Sequence, residues 1–131
     1  NYDYSFSGMK TSFLYALQKH VKETPDFIDK HKADICASYQ LALLDVLFDK
    51  LEKAIKDTGI SNVALAGGVS ANSALRRRVH NLGIQKRLNT YVPPLEYTTD
   101  NAAMIGIAGY YNYRKGEYAS LEVTASAKIL F

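Results

Sequence analysis

The chain has 131 residues, 47% of them hydrophobic and 22% charged, with a net charge of +3. That length can bury a core without metal or disulfide staples, and the single cysteine, Cys36, excludes an internal disulfide. No apolar run nears the roughly 18 residues a membrane helix needs, and the small charge excess does not by itself select a nucleic-acid partner.

The opening residues Asn1 to Tyr4 have neither a basic end nor an apolar run. With no initiator Met there, the chain is expected to be a cut-out segment. Met9, Phe13, Leu17 and Val21 lie four apart and predict one stripe of a helix, broken at Pro25. From about Ala33 to Asp57, Ile35, Tyr39, Ala42, Leu43, Val46, Leu51, Ala54 and Ile55 keep the helical period with no Gly or Pro inside. Gly59 is the expected left-handed cap. Cys36 falls within this apolar pattern and is expected to be a buried small hydrophobe.

Asn62 to Ala66 reads as a short buried strand, Gly67-Gly68 as a turn, and Leu75, Val79 and Leu82 as a helix closed by Gly83. Leu88 to Val92 is a second strand, stopped by Pro93-Pro94. Thr98 to Asn101 leads into a helix from Ala102 to Lys115, with Gly116 after it. Ala102, Gly106 and Gly109 put small residues along one side of that helix, where another backbone could approach. The tail, 117–131, has no readable pattern. Strand, glycine turn, helix, strand, turn, helix is α/β grammar. Two strands are too few to shield these helices, so either a sheet partner or self-association through exposed apolar surface is expected.

Three stretches carry candidate chemistry. In Leu65-Ala66-Gly67-Gly68-Val69-Ser70-Ala71-Asn72, a strand delivers two glycines to a helix start, where backbone can touch a ligand and N–H groups favour an anion. Asn72 adds a donor and an acceptor for a sugar hydroxyl or base edge. The third glycine of a dinucleotide fingerprint and the Gly-Lys-Ser/Thr of a P-loop are both missing, and a purely structural turn fits the same residues. In Thr98-Thr99-Asp100-Asn101-Ala102, Thr98 or Thr99 could cap the last helix, and Asp100 at its positive end suits a divalent cation or simply the dipole. In Ser5-Phe6-Ser7-Gly8-Met9-Lys10-Thr11, Lys10 opposes the helix dipole, which suggests a phosphate or merely a solvated lysine. Between Asp57 and Glu96 no acidic residue occurs, while Arg76, Arg77, Arg78, Lys86 and Arg87 do. That one-sign stretch can attract phosphate or be a solvated helix face. His20, His31 and His80 have no metal-ligand spacing.

Phe6-Ser7-Gly8-Met9-Lys10-Thr11, Ala37-Ser38-Tyr39-Gln40, Ala66 to Asn72, and Thr99-Asp100-Asn101-Ala102-Ala103-Met104-Ile105 occur in that order. Together they resemble the TsaD family of tRNA N6-adenosine threonylcarbamoyltransferases, formerly labelled O-sialoglycoprotein endopeptidase or glycoprotease. The likeness runs from Tyr4 to about Tyr118. It implies a helix-rich, partial ribonuclease-H-like lobe of the ASKHA (actin and sugar-kinase) fold with a small parallel sheet. Residues 1–131 would be the carboxy-terminal lobe of a two-lobe enzyme whose amino-terminal lobe is absent.

The same resemblance implies transfer of threonylcarbamoyl from threonylcarbamoyl-adenylate to N6 of the adenosine beside the tRNA anticodon, in the cytoplasm. It implies tRNA as partner, with TsaB and TsaE in bacteria and KEOPS-type subunits elsewhere. Gly67 and Gly68 match the family's nucleotide-contacting turn, Asn72 its adenylate-holding asparagine, and Asp100 its metal-ligating aspartate. Lys10 lies in a motif near the cleft without an assigned role. The implied cofactor is one divalent metal, iron or zinc, in each full-length subunit. The family's other metal ligands, two histidines in an HxxxH motif, do not occur in this sequence, so the chain alone is expected to be inactive. Thr98 stands where many members have Cys, and Met9 where many have Leu; both exchanges are expected to be harmless.

Three rivals remain. A metalloendopeptidase, as in the old label, has no zinc-binding histidine pair to rest on. A non-catalytic, TsaB-like scaffold fits poorly with Asp100 and Asn72 both present. A sugar or acetate kinase would share the fold but not the four motifs.

Overall fold

A computed structural model describes residues 2–124 of the chain. It is rich in helix, with one small two-stranded sheet. The chain divides into two units, Asn1–Val63 with Asn81–Asn89, and Ala64–His80 with Thr90–Phe131.

In the first unit, helix α1 spans Met9–Glu23. Met9, Phe13, Leu17 and Val21 are half-buried and every residue between them is exposed, so the fourfold spacing marks the packed stripe. Thr24, ahead of Pro25, is extended (φ −140°, ψ 96°), the conformation the proline ring enforces, and its N–H closes the helix on the His20 carbonyl. Helix α2 spans Phe27–Thr58 and packs against α1. The Phe13 and Tyr39 rings stack with centroids 4.2 Å apart, and His20 and Phe27 at 4.6 Å. Such pairs contribute about 1 kcal/mol beyond their buried area.

The periodicity predicted α2 to begin near Ala33. The extra turn before it is separated by His31, whose φ −119° and ψ 17° are not helical. Gly59 caps the far end as expected, at φ 68°, with its N–H on the Ile55 carbonyl. Cys36, however, is exposed, which corrects the expectation of burial. It stands one residue around the helix from the half-buried pair Ile35 and Tyr39, and so misses their stripe. Leu44, Phe48, Val63 and Leu82 are the buried apolar side chains of this unit.

Strands β1 (Asn62–Ala64) and β2 (Asn89–Tyr91) pair side by side. The Asn89 N–H donates to the Ser61 carbonyl and the Leu65 N–H to the Tyr91 carbonyl. The pairing advances in the same direction on both strands, so they are parallel and need a crossover. Helix α3 (Ser73–Lys86) supplies it. Sequence placed its end at Gly83, but the helix runs one turn further. Arg87 makes the closing bend at φ 57°, and the Leu88 N–H returns to the Gly83 carbonyl. That is a Schellman closure with arginine in the left-handed position usually given to glycine. An interior glycine costs a helix only about 1 kcal/mol, which is why Gly83 did not stop it.

In the second unit, a single 3-10 turn (Gly68–Ala71) intervenes between β1 and α3. Leu75 and Val79 are buried along α3. After Pro93-Pro94 a second 3-10 turn, Leu95–Tyr97, leads to Thr98, which is buried and donates its hydroxyl to the Leu95 carbonyl. Helix α4 spans Ala102–Lys115, with Gly116 past its end at φ 74°, as predicted. Its cap is neither Thr98 nor Thr99. Asn101 accepts the Met104 N–H at 3.2 Å, because only the residue adjoining the first turn reaches that donor. None of the residues of α4 is buried among the described residues, and the sides of Gly106 and Gly109 face open space. Residues 117–124 form no helix or strand. The rest of the unread tail, 125–131, lies outside the described residues. No described helix is long and apolar enough to cross a membrane.

Candidate functional site

A hollow of about 440 Å³ opens in the second unit. The diglycine bend and the approach to α4 line it together, with Gly67, Gly68, Pro93, Thr98, Thr99 and Asp100 among its walls and Met104 of the first turn of α4 beside them. Both contributing segments leave the carboxyl ends of the parallel strands, where open α/β sheets place their ligand crevices.

Each wall has a local cause. Gly67 sits at φ 80° and ψ 171°, a conformation that a side chain all but forbids. It turns the chain sharply off β1. Gly68 has an ordinary φ, and an added Cβ would meet nothing within 4 Å. Its lack of a side chain leaves bare backbone facing the hollow, which a ligand can touch. On the other wall, buried Thr98 anchors the rim, and Asp100, exposed, offers the carboxylate just ahead of α4.

The expected helix start directly behind the glycines is not how the segment is built. The 3-10 turn comes first, and the Asn72 side-chain oxygen then accepts the Leu75 N–H at 2.9 Å, capping α3. Asn72 is half-buried and is not among the residues lining the hollow. Lys10 is exposed in the first turn of α1 and belongs to the other unit.

The basic stretch divides by role. Arg76 donates to the Ser70 carbonyl at 3.1 Å and to the Pro93 carbonyl at 2.7 Å. Lys86 pairs with Glu52 at 2.7 Å. Arg77 and Arg87 are exposed. Sequence reasoning treated Arg76 as one charge among several and missed its structural engagement. Its one available sign was its place four residues after Asn72, at the first full turn of a helix leaving a glycine bend.

A larger hollow of about 700 Å³ lies between α1 and α2 in the first unit. Its walls are mainly apolar, and it takes Gly8 and Met9 of the first motif but not Lys10. The smaller hollow gathers the glycines and the carboxylate, and chemistry rather than volume marks it as the candidate. Among the described residues, no three His, Cys, Asp or Glu side chains converge to hold a metal. Asp100 is thus the one carboxylate among the residues that line this hollow.

Comparison with known proteins gives the geometry its setting. The family described as TsaD, tRNA N6-adenosine threonylcarbamoyltransferase, matches residues 1–107. A tRNA N6-adenosine threonylcarbamoyltransferase of Christiangramia forsetii is 50% identical over 129 residues, covering 98% of this chain and 38% of that relative. One from Porphyromonas gingivalis is 50% identical over 128 residues, with the same coverage of each. One from Thermosipho africanus is 44% identical over 131 residues, again 98% of this chain and 38% of the relative. The chain thus spans a little over a third of the length of these relatives. It belongs to the TsaD family.

Proposed function

We propose, from that membership, that the chain is the carboxy-terminal part of a two-lobed enzyme that moves threonylcarbamoyl from threonylcarbamoyl-adenylate to N6 of the adenosine beside the tRNA anticodon. The lobe would be a partial ribonuclease-H-like unit of the ASKHA fold. The observation that carries this reading is the single hollow shared by Gly68 and Asp100. Two motifs remote in sequence supply complementary walls, one of bare backbone and one bearing a carboxylate.

The substrate's carbonyl is already activated as a mixed anhydride. The adenosine amine attacks it, a C–N bond forms, the C–O bond to phosphate breaks, AMP leaves, and the amine proton passes to solvent. The protein must hold the carbonyl against the amine and stabilise charge on the departing phosphate. In this reading Gly67 and Gly68 let the adenylate lie against the main chain. Asn72 holds the start of α3 and, through its amide, orients the ribose or base. Lys10 is assigned to the neighbourhood of the substrate without a specific contact. Asp100 would be one ligand of a divalent metal, iron or zinc, which supplies Lewis-acid relief of charge on the leaving group. tRNA is the acceptor, TsaB and TsaE or KEOPS-type subunits are the protein partners, and the compartment is the cytoplasm.

The test uses the full-length protein carrying this segment, supplied with preformed threonylcarbamoyl-adenylate, unmodified tRNA and the partner subunits. Threonylcarbamoyladenosine should appear in the tRNA with the full-length protein and not with residues 1–131 alone. No product from the full-length protein would overturn the transferase reading. Product from residues 1–131 alone would overturn the claim that the segment is incomplete.

A further inference from the structure

We propose that Arg76 is a positioning residue, whose guanidinium ties the bend after Gly67-Gly68 to the segment before Asp100 and so sets the opening of the hollow. The inference rests on the reading above for its consequence in catalysis, but the tie itself stands on geometry. One terminal nitrogen donates to the Ser70 carbonyl at 3.1 Å, the other to the Pro93 carbonyl at 2.7 Å. Ser70 lies within the turn Gly68–Ala71, and Pro93 itself lines the hollow.

Arg76 thus reaches both walls with one side chain. Ser70 is fully buried, yet its hydroxyl finds no partner among the described residues, so its carbonyl is the group through which the turn is gripped. On the opposite wall, Thr98 bonds within its own segment, to the Leu95 carbonyl. Arg76 sits on α3, the element that joins the two walls in sequence, and is half-buried between them.

The guanidinium is suited to this because it is planar and rigidly forked, so two carbonyls on different segments are satisfied at fixed spacing. A lysine keeps the charge but not the fork. Hydrogen bonds from a charged donor to part-buried carbonyls are worth more than neutral ones. This role also removes Arg76 from the set of free charges that could meet tRNA phosphates.

The experiment compares unsubstituted full-length protein with Arg76→Lys and Arg76→Gln. Both variants should raise KM for threonylcarbamoyl-adenylate about tenfold, the loss of one charged hydrogen bond. KM for tRNA should stay within about twofold, as expected when no phosphate contact is removed. In parallel, amide exchange at 68–72 and 95–99 should quicken about tenfold in both variants, with α2 amides unchanged. Wild-type KM in Arg76→Lys would show that charge alone matters and overturn the proposal. So would a rise confined to the tRNA KM, or exchange that quickens throughout the protein. If the unsubstituted enzyme makes no product, the transferase reading fails, and the exchange measurements decide the tie by themselves.

Discussion

Gly68 and Asp100 line one hollow, although a helix, a strand and a proline pair separate them in the chain. The parallel pairing of β1 with β2 is the cause. It sends the bend after β1 and the loop after β2 off the same edge, so their residues meet without being neighbours in sequence.

The two glycines of the bend should fail differently when substituted. Gly67→Ala forces a side chain into φ 80° and ψ 171°, and should destabilise by about 1–3 kcal/mol in urea unfolding. Gly68→Ala meets no atom within 4 Å and has no positive φ, so its stability should change by less than about 0.5 kcal/mol. Its cost should appear in the KM for adenylate, because the new methyl stands where ligand would lie. Equal destabilisation by both substitutions would contradict this division.

Asn72 should separate into a capping and a binding role. Asn72→Ala loses the acceptor for the Leu75 N–H and should cost about 1 kcal/mol of stability. Asn72→Asp keeps an acceptor, and its unfolding midpoint should stay near that of the unsubstituted chain. It loses the amide donor, so adenylate affinity in the full-length enzyme should still fall. Full affinity in Asn72→Asp would leave Asn72 with the cap alone.

Metal loading should report how much of the centre this chain contains. Residues 1–131, incubated with iron(II) or zinc and desalted, should retain well under one metal per chain, since no three donors converge among the described residues. In the full-length protein, Asp100→Ala should lower the metal content measured by elemental analysis. Stoichiometric metal on the 131-residue chain would contradict an incomplete centre, and unchanged content in Asp100→Ala would remove Asp100 from the assigned role.

A further prediction concerns pH. Hydrogen bonds from Lys53, and then from Tyr2, hold the Asp57 carboxyl below the usual aspartate value. The Tyr2 hydroxyl and the Lys53 ammonium are both raised, chiefly by hydrogen bonding to Asp57. The Asp57 contribution is therefore present above the ordinary carboxylate value and is lost as pH falls through the lowered one. Those of Tyr2 and Lys53 are present below their ordinary values and are lost as pH rises through the raised ones. All three groups are solvent-exposed, so the effect on stability is small. A carbonyl-carbon NMR titration should place the Asp57 midpoint below that of a free aspartate, and Lys53→Met should move it up. An unmoved midpoint would contradict the cluster.

Sequence carried the large periodic elements and named Gly67, Gly68 and Asp100, which line the hollow, but Asn72 lies off its walls and Lys10 in the other unit. The details that depend on one backbone angle or one neighbour were not legible. The stripe Met9, Phe13, Leu17, Val21 and the bounds of α4 were legible because a helical face repeats its own evidence over several turns. The burial of Cys36 was misjudged because a rotation by a single residue takes a side chain off that face. The end of α3 was misplaced because glycine permits a bend without compelling one, and Arg87 supplied it instead. Thr98 and Thr99 were plausible caps by type, yet the cap belongs to whichever side chain adjoins the first turn, and that is Asn101. The pairing of Arg76 with two carbonyls needed the strands to be placed first, since Ser70 and Pro93 become neighbours of one guanidinium only through the crossover.

The three-residue ladder also has an opposite edge, where Ser61 receives the Asn89 amide and where the turns at Gly59 and Arg87 feed the strands. Chemistry has been assigned to none of those turns. A fluorophore or affinity tag placed at Ser61, between them, would leave both the Gly59 cap of α2 and the Arg87 closure of α3 in place. That edge is the natural handle for watching substrate arrive at the other.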